Sequence, residues 1–343
     1  MFPMDGKSLP LSPWRHRLRP RGTQNQLFPG TWHLEHLTVQ DNISSKMVAK
    51  FYEDAELDTA WQDIAQKDVG EPDEEEEVAE KLEKLRSLIT SKFEQPVDEE
   101  LLSEANLKRF LRASKWDPVE ALKIFLGTAT LLKDFPNFLL PQEKSEKKSF
   151  DATHKECLVW AAPGREEHGS RVVFLNLTQW ESSKFSYAYE YSLFQLISTE
   201  PRTQVGGVVV VLDLAGFGWK HLKAFGIQEL RCIGSFLSGG FPVWFRAIHY
   251  VNHPWIFNKL FSILKPFLSD KIVNTITWHG GNTDSLVAAV NPDLLPKKLG
   301  GNIEDAELKA AGLNCLLDLQ DRENEVQEAM GKMVALSKMK QKS

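Results

Sequence analysis

Cysteine is scarce: three in 343 residues. Cys157, Cys232 and Cys315 are widely spaced and odd in number. That excludes a disulfide framework, offers no zinc-ligand spacing, and predicts a reducing compartment. Long apolar runs are also missing. None reaches the roughly 18 residues that a membrane-spanning helix needs. Residues 1–30 lack the apolar centre of a secretory signal. Arg15, Arg17, Arg19 and Arg21 resemble a transit peptide in charge, but Pro3, Pro10, Pro13 and Pro20 break the amphipathic helix such a peptide requires. A net charge of −6 excludes a general nucleic-acid binder.

Catalytic signatures are equally sparse. Gly216-Phe217-Gly218 lacks the third glycine of a dinucleotide fingerprint, and Phe217, Trp219 and Lys220 would fill the approach to a pyrophosphate. Ser238 is not set in G-x-S-x-G. His249, His253 and His279 have no carboxylate or cysteine companions at ligand spacing. No catalytic residue, metal ligand or cofactor is assigned, and the expectation is a non-enzyme that binds something apolar.

What the chain has in quantity is apolar side chains in one stretch, 241–281. A strand-like run from Trp244 to Val251 leads through Asn252-His253-Pro254 into Trp255, Ile256, Phe257, Leu260, Phe261, Ile263, Leu264, Phe267 and Leu268. Such a helix has apolar residues on nearly every side, so it is either core or a cover that meets something other than water. At about 14 residues it is too short to cross a bilayer. Residues 240–300 carry six Lys and Arg against three Asp, a local lean towards anionic surfaces.

Ahead of this stretch, residues 1–70 are expected to form an irregular leader, followed by amphipathic helices. Val78, Leu82, Leu85, Ile89 and Phe93 share one face. A second helix spans about 99–113. Asp117-Pro118 supplies an N-cap and a first-turn proline for a third, with Ala121, Leu122, Phe125, Ala129 and Leu132 buried. After a loop-rich segment at 136–170, strands are expected at 172–177 and 208–214, the latter β-branched throughout and suited to a centre covered on both faces. Helices are expected at 187–199 and 227–237, and a frayed basic end after 338.

The run Leu107-Lys108-Arg109-Phe110-Leu111-Arg112-Ala113 with Lys115-Trp116-Asp117 resembles the N-terminal helical signature of CRAL-TRIO (Sec14-like) lipid-binding proteins. Ser170-Arg171-Val172-Val173, Asp213-Leu214-Ala215-Gly216-Phe217, Arg246-Ala247-Ile248-His249, Lys265-Pro266-Phe267-Leu268, His279-Gly280-Gly281-Asn282 and Gly300-Gly301 follow in the family's order. The look is nearest to the α-tocopherol transfer protein, retinaldehyde-binding protein and clavesin subgroup. The resemblance implies an α/β fold: a mixed β-sheet flanked by helices, with an apolar pocket under a lid helix. It further implies an all-helical N-terminal subdomain at 75–140, a lipid-binding domain at 150–302, and a C-terminal helical tail at 303–343.

On that resemblance the pocket is expected from Phe174, Tyr187, Phe194, Ile197, Leu212, Phe236, Phe245, Ile248, Ile256, Leu260 and Leu264. The outer, membrane-facing surface of the lid is expected from Trp255, Phe257, Phe261, Phe267 and Leu268. Arg246 and Lys271 keep two positions of a phosphoinositide-binding cluster, while Trp244 and Thr275 replace two others. Glu190 and Phe194 stand where small hydroxyl residues orient cargo in the subgroup. The implied function is binding one hydrophobic lipid (tocopherol-, retinoid- or phospholipid-like) and transferring it between membranes, as a cytoplasmic monomer touching membranes, phosphoinositide-containing ones included, only transiently. The alternative is an adaptor that keeps the fold without transferring lipid.

Overall fold

The computed structural model describes residues 51–53, 55–140, 158–177 and 186–342. The first 50 residues of the expected leader, and Cys157, lie outside them. Within the expected leader, residues 59–69 are helical. Helix α1 (Thr59–Ile64) is capped by the Asp58 side chain, which accepts from the Trp61 amide, and runs into a π-helical turn (Ala65–Val69) that ends at Gly70. Sequence periodicity misses this segment because it packs through isolated residues, Phe51, Ala65 and Val69, rather than a repeating stripe.

Helix α2 (Glu75–Lys92) starts with three glutamates that complement the positive end of its dipole and buries Leu82, Leu85 and Ile89. Helix α3 (Glu104–Ala113) begins later than expected, where the Ser103 hydroxyl caps the Asn106 amide. Lys115 and Trp116 both take positive φ, making the tight link to Asp117, which caps α4 (Pro118–Asp134). The short α5 (Pro136–Leu139) completes this part.

Arg109 and Arg112 of α3 are buried rather than on a solvated face. Arg112 forms a fork on the Glu71 carboxylate, two contacts of 2.7 Å, and reaches Gln204 at 2.7 Å. Arg109 donates to Asn106, Gln195 and Ser198, and burial lowers its pKa to about 10. These two side chains tie the helical part to the sheet part.

The sheet runs β1 (Val159–Arg165), β2 (Arg171–Asn176), β3 (Val208–Asp213), β4 (Phe245–Val251) and β5 (Ile276–Gly280), in that order. β1 is antiparallel to β2 and the remaining pairs are parallel. β1 falls where the sequence reads as loop, since its apolar run is short and ends in Pro163-Gly164. The ladder shifts register there, an edge position where proline is tolerated. Helices α6 (Tyr187–Ser198), α7 (Pro201–Gly206), α8 (Trp219–Ala224), α9 (Ile227–Leu237), α10 (Trp255–Leu264), α11 (Asp270–Val273) and α12 (Thr283–Val287) connect and cover the strands. Both faces of β3 are buried: Val208 and Val210 join one core cluster, Val209 and Val211 the other.

The expected tail is part of the body. Helix α13 (Asp305–Asp321) packs on β1, and α14 (Glu323–Ser337) packs on α4 through Met330, Met333 and Leu336. The basic end is not frayed: Phe93 pairs with Gln341, and the Lys342 amide donates to the Lys92 carbonyl at 2.8 Å. Backbone pairing there is indifferent to the lysine side chains, so composition gives no warning of it.

Candidate functional site

Between one face of the sheet and helices α6, α9 and α10 lies a cavity with about 1070 Å³ of empty space, counting its part open to solvent. Each element contributes by its own period. Alternation along the strands aims Leu175, Leu177, Val210 and Leu212 inward. On α6, Tyr187, Glu190, Tyr191 and Phe194 fall at i, i+3, i+4 and i+7, one helical face. α10 presents Phe257, Leu260 and Leu264. In β4 the pairing slips, with Val208 opposite Phe245 and Val209 opposite Ala247, so Arg246 is an extra residue. That bulge lets Phe245 and Ile248 both face the cavity. Phe194, Phe236, Phe241 and Phe245 meet edge-on or tilted at one end, with Phe194–Phe236 centroids 5.2 Å apart.

Of the pocket residues expected from sequence, Tyr187, Phe194, Leu212, Phe236, Phe245, Ile248, Leu260 and Leu264 line this cavity. Phe174 does not. It lies on the opposite sheet face, stacked on Trp160 at 4.1 Å, because strand parity places it with Val172 and hands the cavity to Leu175. Ile197 sits one turn beyond Phe194, buried in the core outside the cavity lining, and Ile256 is buried on the flank of α10. Tyr191, Tyr250, Leu230 and Ile233 line the cavity and are absent from the expected set. The 3.6-residue period of α6 and α9 could have supplied Tyr191, Leu230 and Ile233.

The outer surface of α10 also differs from expectation. Phe257 is only 4% exposed and faces inward; Leu268 is buried, and Phe261 and Phe267 are half-buried. What projects outward is Trp255, at 64% exposure, together with Ile263. Trp255 stands edge-on to Trp219 of α8, 53% exposed, with centroids 5.9 Å apart, and the Lys259 ammonium lies 5.2 and 5.4 Å from the two rings. Trp219 entered the sequence reading only as an obstacle to a dinucleotide.

Both ends of α10 are pinned by a few contacts. Before it, Asn252 takes φ 53°, a left-handed conformation that asparagine tolerates, and its side-chain amide donates to Asp213 at 3.0 Å. Asp213 also accepts from Lys298 at 2.9 Å. After it, a 3₁₀ turn (Lys265–Phe267) replaces the α-helix at Pro266, whose ring cannot continue the helical ladder. Ser238 accepts from the Ser269 amide at 2.8 Å. Gly234 of α9 lies so close to Phe267 that an added Cβ would come within 2.4 Å of the Phe267 Cβ.

Arg246, expected in a headgroup cluster, is already engaged. Its guanidinium pairs with Asp68, donates to the Gly206 carbonyl at 3.1 Å and stacks on Trp244 at 4.4 Å. Trp244 is half-buried and also lies against Lys115. Lys271 is exposed on α11.

Burial shifts several titrating groups. Glu190 is pushed up to about 7 by loss of hydration, and Cys232, facing the same cavity, is raised to about 12 by burial and then by Glu190 and Glu229. Away from the cavity, His249 and His279 pair through ring nitrogens at 2.8 Å, with Ser285 2.7 Å from the second ring. Burial, then the neighbouring His279, lowers His249 to about 4. Among the described residues no group of three His, Cys, Asp or Glu could hold a metal, and no helix is long and apolar enough to cross a membrane.

A mixed five-stranded sheet with an apolar cavity closed by a helix defines an α/β ligand-binding class of protein. Comparison with known proteins agrees. The CRAL/TRIO domain family matches residues 155–301. The mouse alpha-tocopherol transfer protein-like protein is 31% identical over 249 residues, 71% of this chain and 70% of that protein. Rat clavesin-1 is 30% identical over 213 residues, 58% of this chain and 57% of its own length. The chain therefore spans little more than half of clavesin-1. The crystal structure of Sfh5 aligns with a TM-score of 0.47 at 12% identity, covering 74% of this chain and 99% of that one. This chain belongs to the CRAL/TRIO family.

Proposed function

We propose that the protein binds one hydrophobic lipid in the cavity and carries it between membranes, with α10 as the lid. The observation that carries this reading is the two-sidedness of α10. Phe257, Leu260 and Leu264 cover the cavity, while Trp255, with Trp219 beside it, faces out under a lysine. Indole rings favour the level of lipid headgroups, and a lysine beside them suits an anionic surface. Contact with the membrane then loosens the contacts at Asn252 and Ser238 and lets α10 swing. The names of the alpha-tocopherol transfer protein-like relatives point the same way.

In this reading membrane contact rests on aromatic insertion, with phosphoinositide capture secondary. Headgroup binding at Arg246 requires that Asp68 first release it, whereas Lys271 is exposed. The setting is cytoplasmic, with transient peripheral attachment.

The test uses the full chain, purified, its organic extract analysed by mass spectrometry and its transfer of a fluorescent lipid between liposomes measured. The expected outcome is a bound lipid and a transfer rate that falls about tenfold or more in a Trp219→Ala/Trp255→Ala double variant, in line with losing two interfacial anchors. A protein that yields no lipid, native mass equal to the bare chain, supports the adaptor reading instead.

A further inference from the structure

Among the described residues the cavity lining is mostly apolar, and Glu190 is its one carboxyl group. Half-buried Glu190 faces the cavity from the first turn of α6, and its carboxylate receives no hydrogen bond or ion pair from the described residues. Its companions are Tyr187 and Tyr191 on the same helix and Cys232 on α9, while Glu229 acts on Tyr187 and Cys232 from α9 as well. Tyr191 is spoken for, since its hydroxyl accepts from Gln195 at 2.9 Å. Among the described residues no lysine, arginine or histidine lines the cavity. A carboxyl left without a partner in an apolar enclosure is costly, and the cost is relieved when an occupant supplies a donor.

We infer that Glu190 anchors the inner end of the cargo, and that the cargo is a lipid whose inner end donates a hydrogen bond and carries no negative charge. This rests on the reading that the cavity holds a lipid, and narrows it to a chemical class. A hydroxyl or an ammonium satisfies the carboxyl. A fatty-acid carboxylate or lipid phosphate seated there would meet a carboxyl without any balancing cation. Burial holding Glu190 up to about 7 lets it serve a hydroxyl as neutral acid or ion, and an ammonium best as the ion. Helix geometry supports the assignment independently: Glu190 shares its helix face with Tyr187, Tyr191 and Phe194, so it faces the cavity.

The experiment loads the full chain with diphenylhexatriene, a hydrocarbon probe that lacks any polar group, and displaces it with hexadecanol, hexadecylamine or palmitate. The wild type is expected to prefer the alcohol and the amine over palmitate by about tenfold or more at about pH 8, a difference of roughly 1.4 kcal/mol. Glu190→Gln, nearly the same shape, is expected to bring palmitate close to the alcohol. Hexadecylamine binding to the wild type should strengthen from about pH 6 to about pH 8, either side of the Glu190 pKa, and stay level in the variant. A rising amine response identifies an ammonium as a fitting head, and a level one with the alcohol still preferred identifies a hydroxyl. Equal binding of palmitate and hexadecanol to the wild type, or a ratio unchanged in Glu190→Gln, overturns the assignment while leaving lipid binding intact. Failure of the probe to enter either protein removes lipid binding itself, and the assignment with it.

Discussion

In the proposed reading Glu190 sets selectivity, and its burial also bears on stability. Its folded pKa, about 7, lies above the ordinary carboxylate value of 4.5. Between those values the folded chain holds a proton that the unfolded chain has lost, so stability falls as pH rises through the window. Glu190→Gln should therefore stabilise the unliganded protein by on the order of 2 kcal/mol at about pH 8 and by little at about pH 4. Urea unfolding at both pH values checks this; an equal gain at both rejects an ionised cavity carboxyl. The His249–His279 pair acts in the opposite direction. His249 is lowered to about 4 from 6.5, so between these values the unfolded chain takes up a proton that the folded one refuses. Stability is lost as pH falls through that window. The difference between His249→Gln and the wild type should shift in the variant's favour on acidification, and an unfolding midpoint difference that ignores pH would exclude this. At this scale the family resemblance places Glu190 where small hydroxyl residues are expected. It cannot show that no partner among the described residues reaches the carboxyl, since partners come from elements distant in the chain.

Helix α10 is the element on which the proposed function turns. Sequence reading finds it easily, because few polar residues interrupt it. It fails to say which apolar residue faces where, because a helix apolar on several sides gives periodicity little contrast to work with. Phe257 and Trp255 are two residues apart and point to different worlds, cavity and solvent. Phe257→Asp should cost about 3–5 kcal/mol of stability, since it empties a buried site and buries a charge. Trp255→Asp should change stability by about 0.5 kcal/mol or less, as an exposed substitution, yet lower binding to anionic vesicles in a flotation assay. If Phe257→Asp proves neutral to thermal unfolding while Trp255→Asp unfolds the chain, the orientation of α10 given above is wrong. The same parity problem explains Phe174. Strand β2 is recognisable by its valines, but with both faces buried the alternation carries no label for which face holds the cavity.

Across the whole molecule, residues 51–53 act as a strap joining distant parts. The Phe51 and Tyr52 amides donate to Asp318 of α13, and the Glu53 amide donates to Glu200. Arg171 and Glu200, both fully buried, pair at 2.6 Å, and Arg171 also reaches the Phe51 carbonyl. Glu200 further holds Arg165 at 2.9 Å. Removing one partner of such a group leaves uncompensated buried charge, so Glu200→Ala should cost roughly 3–5 kcal/mol. Asp318→Ala should release the strap at a smaller cost of about 1–3 kcal/mol, by leaving two amides without their acceptor. Denaturant unfolding followed alongside proteolysis near residue 53 measures both; a strap cleaved no faster in Asp318→Ala than in the wild type rejects the role given to that carboxylate. Few of these contacts were legible beforehand. Charged residues at 53, 165, 200 and 318 read as ordinary surface composition until the fold brings them together.

By itself, the sequence determined the strands β2, β3 and β4, the helices from α2 to α4, and the membership of an apolar lid-like helix in a CRAL/TRIO pattern. These are local properties: turn chemistry, caps and the spacing of apolar residues act over a few neighbours. Only the tertiary structure decided which face of the sheet holds the cavity, that Arg246 is already paired with Asp68, and that the C-terminal helices complete the core. It alone left Glu190 without a partner among the described residues of the cavity. Each of these depends on which distant groups arrive at a given point, and neither burial nor electrostatic pairing exists until they do.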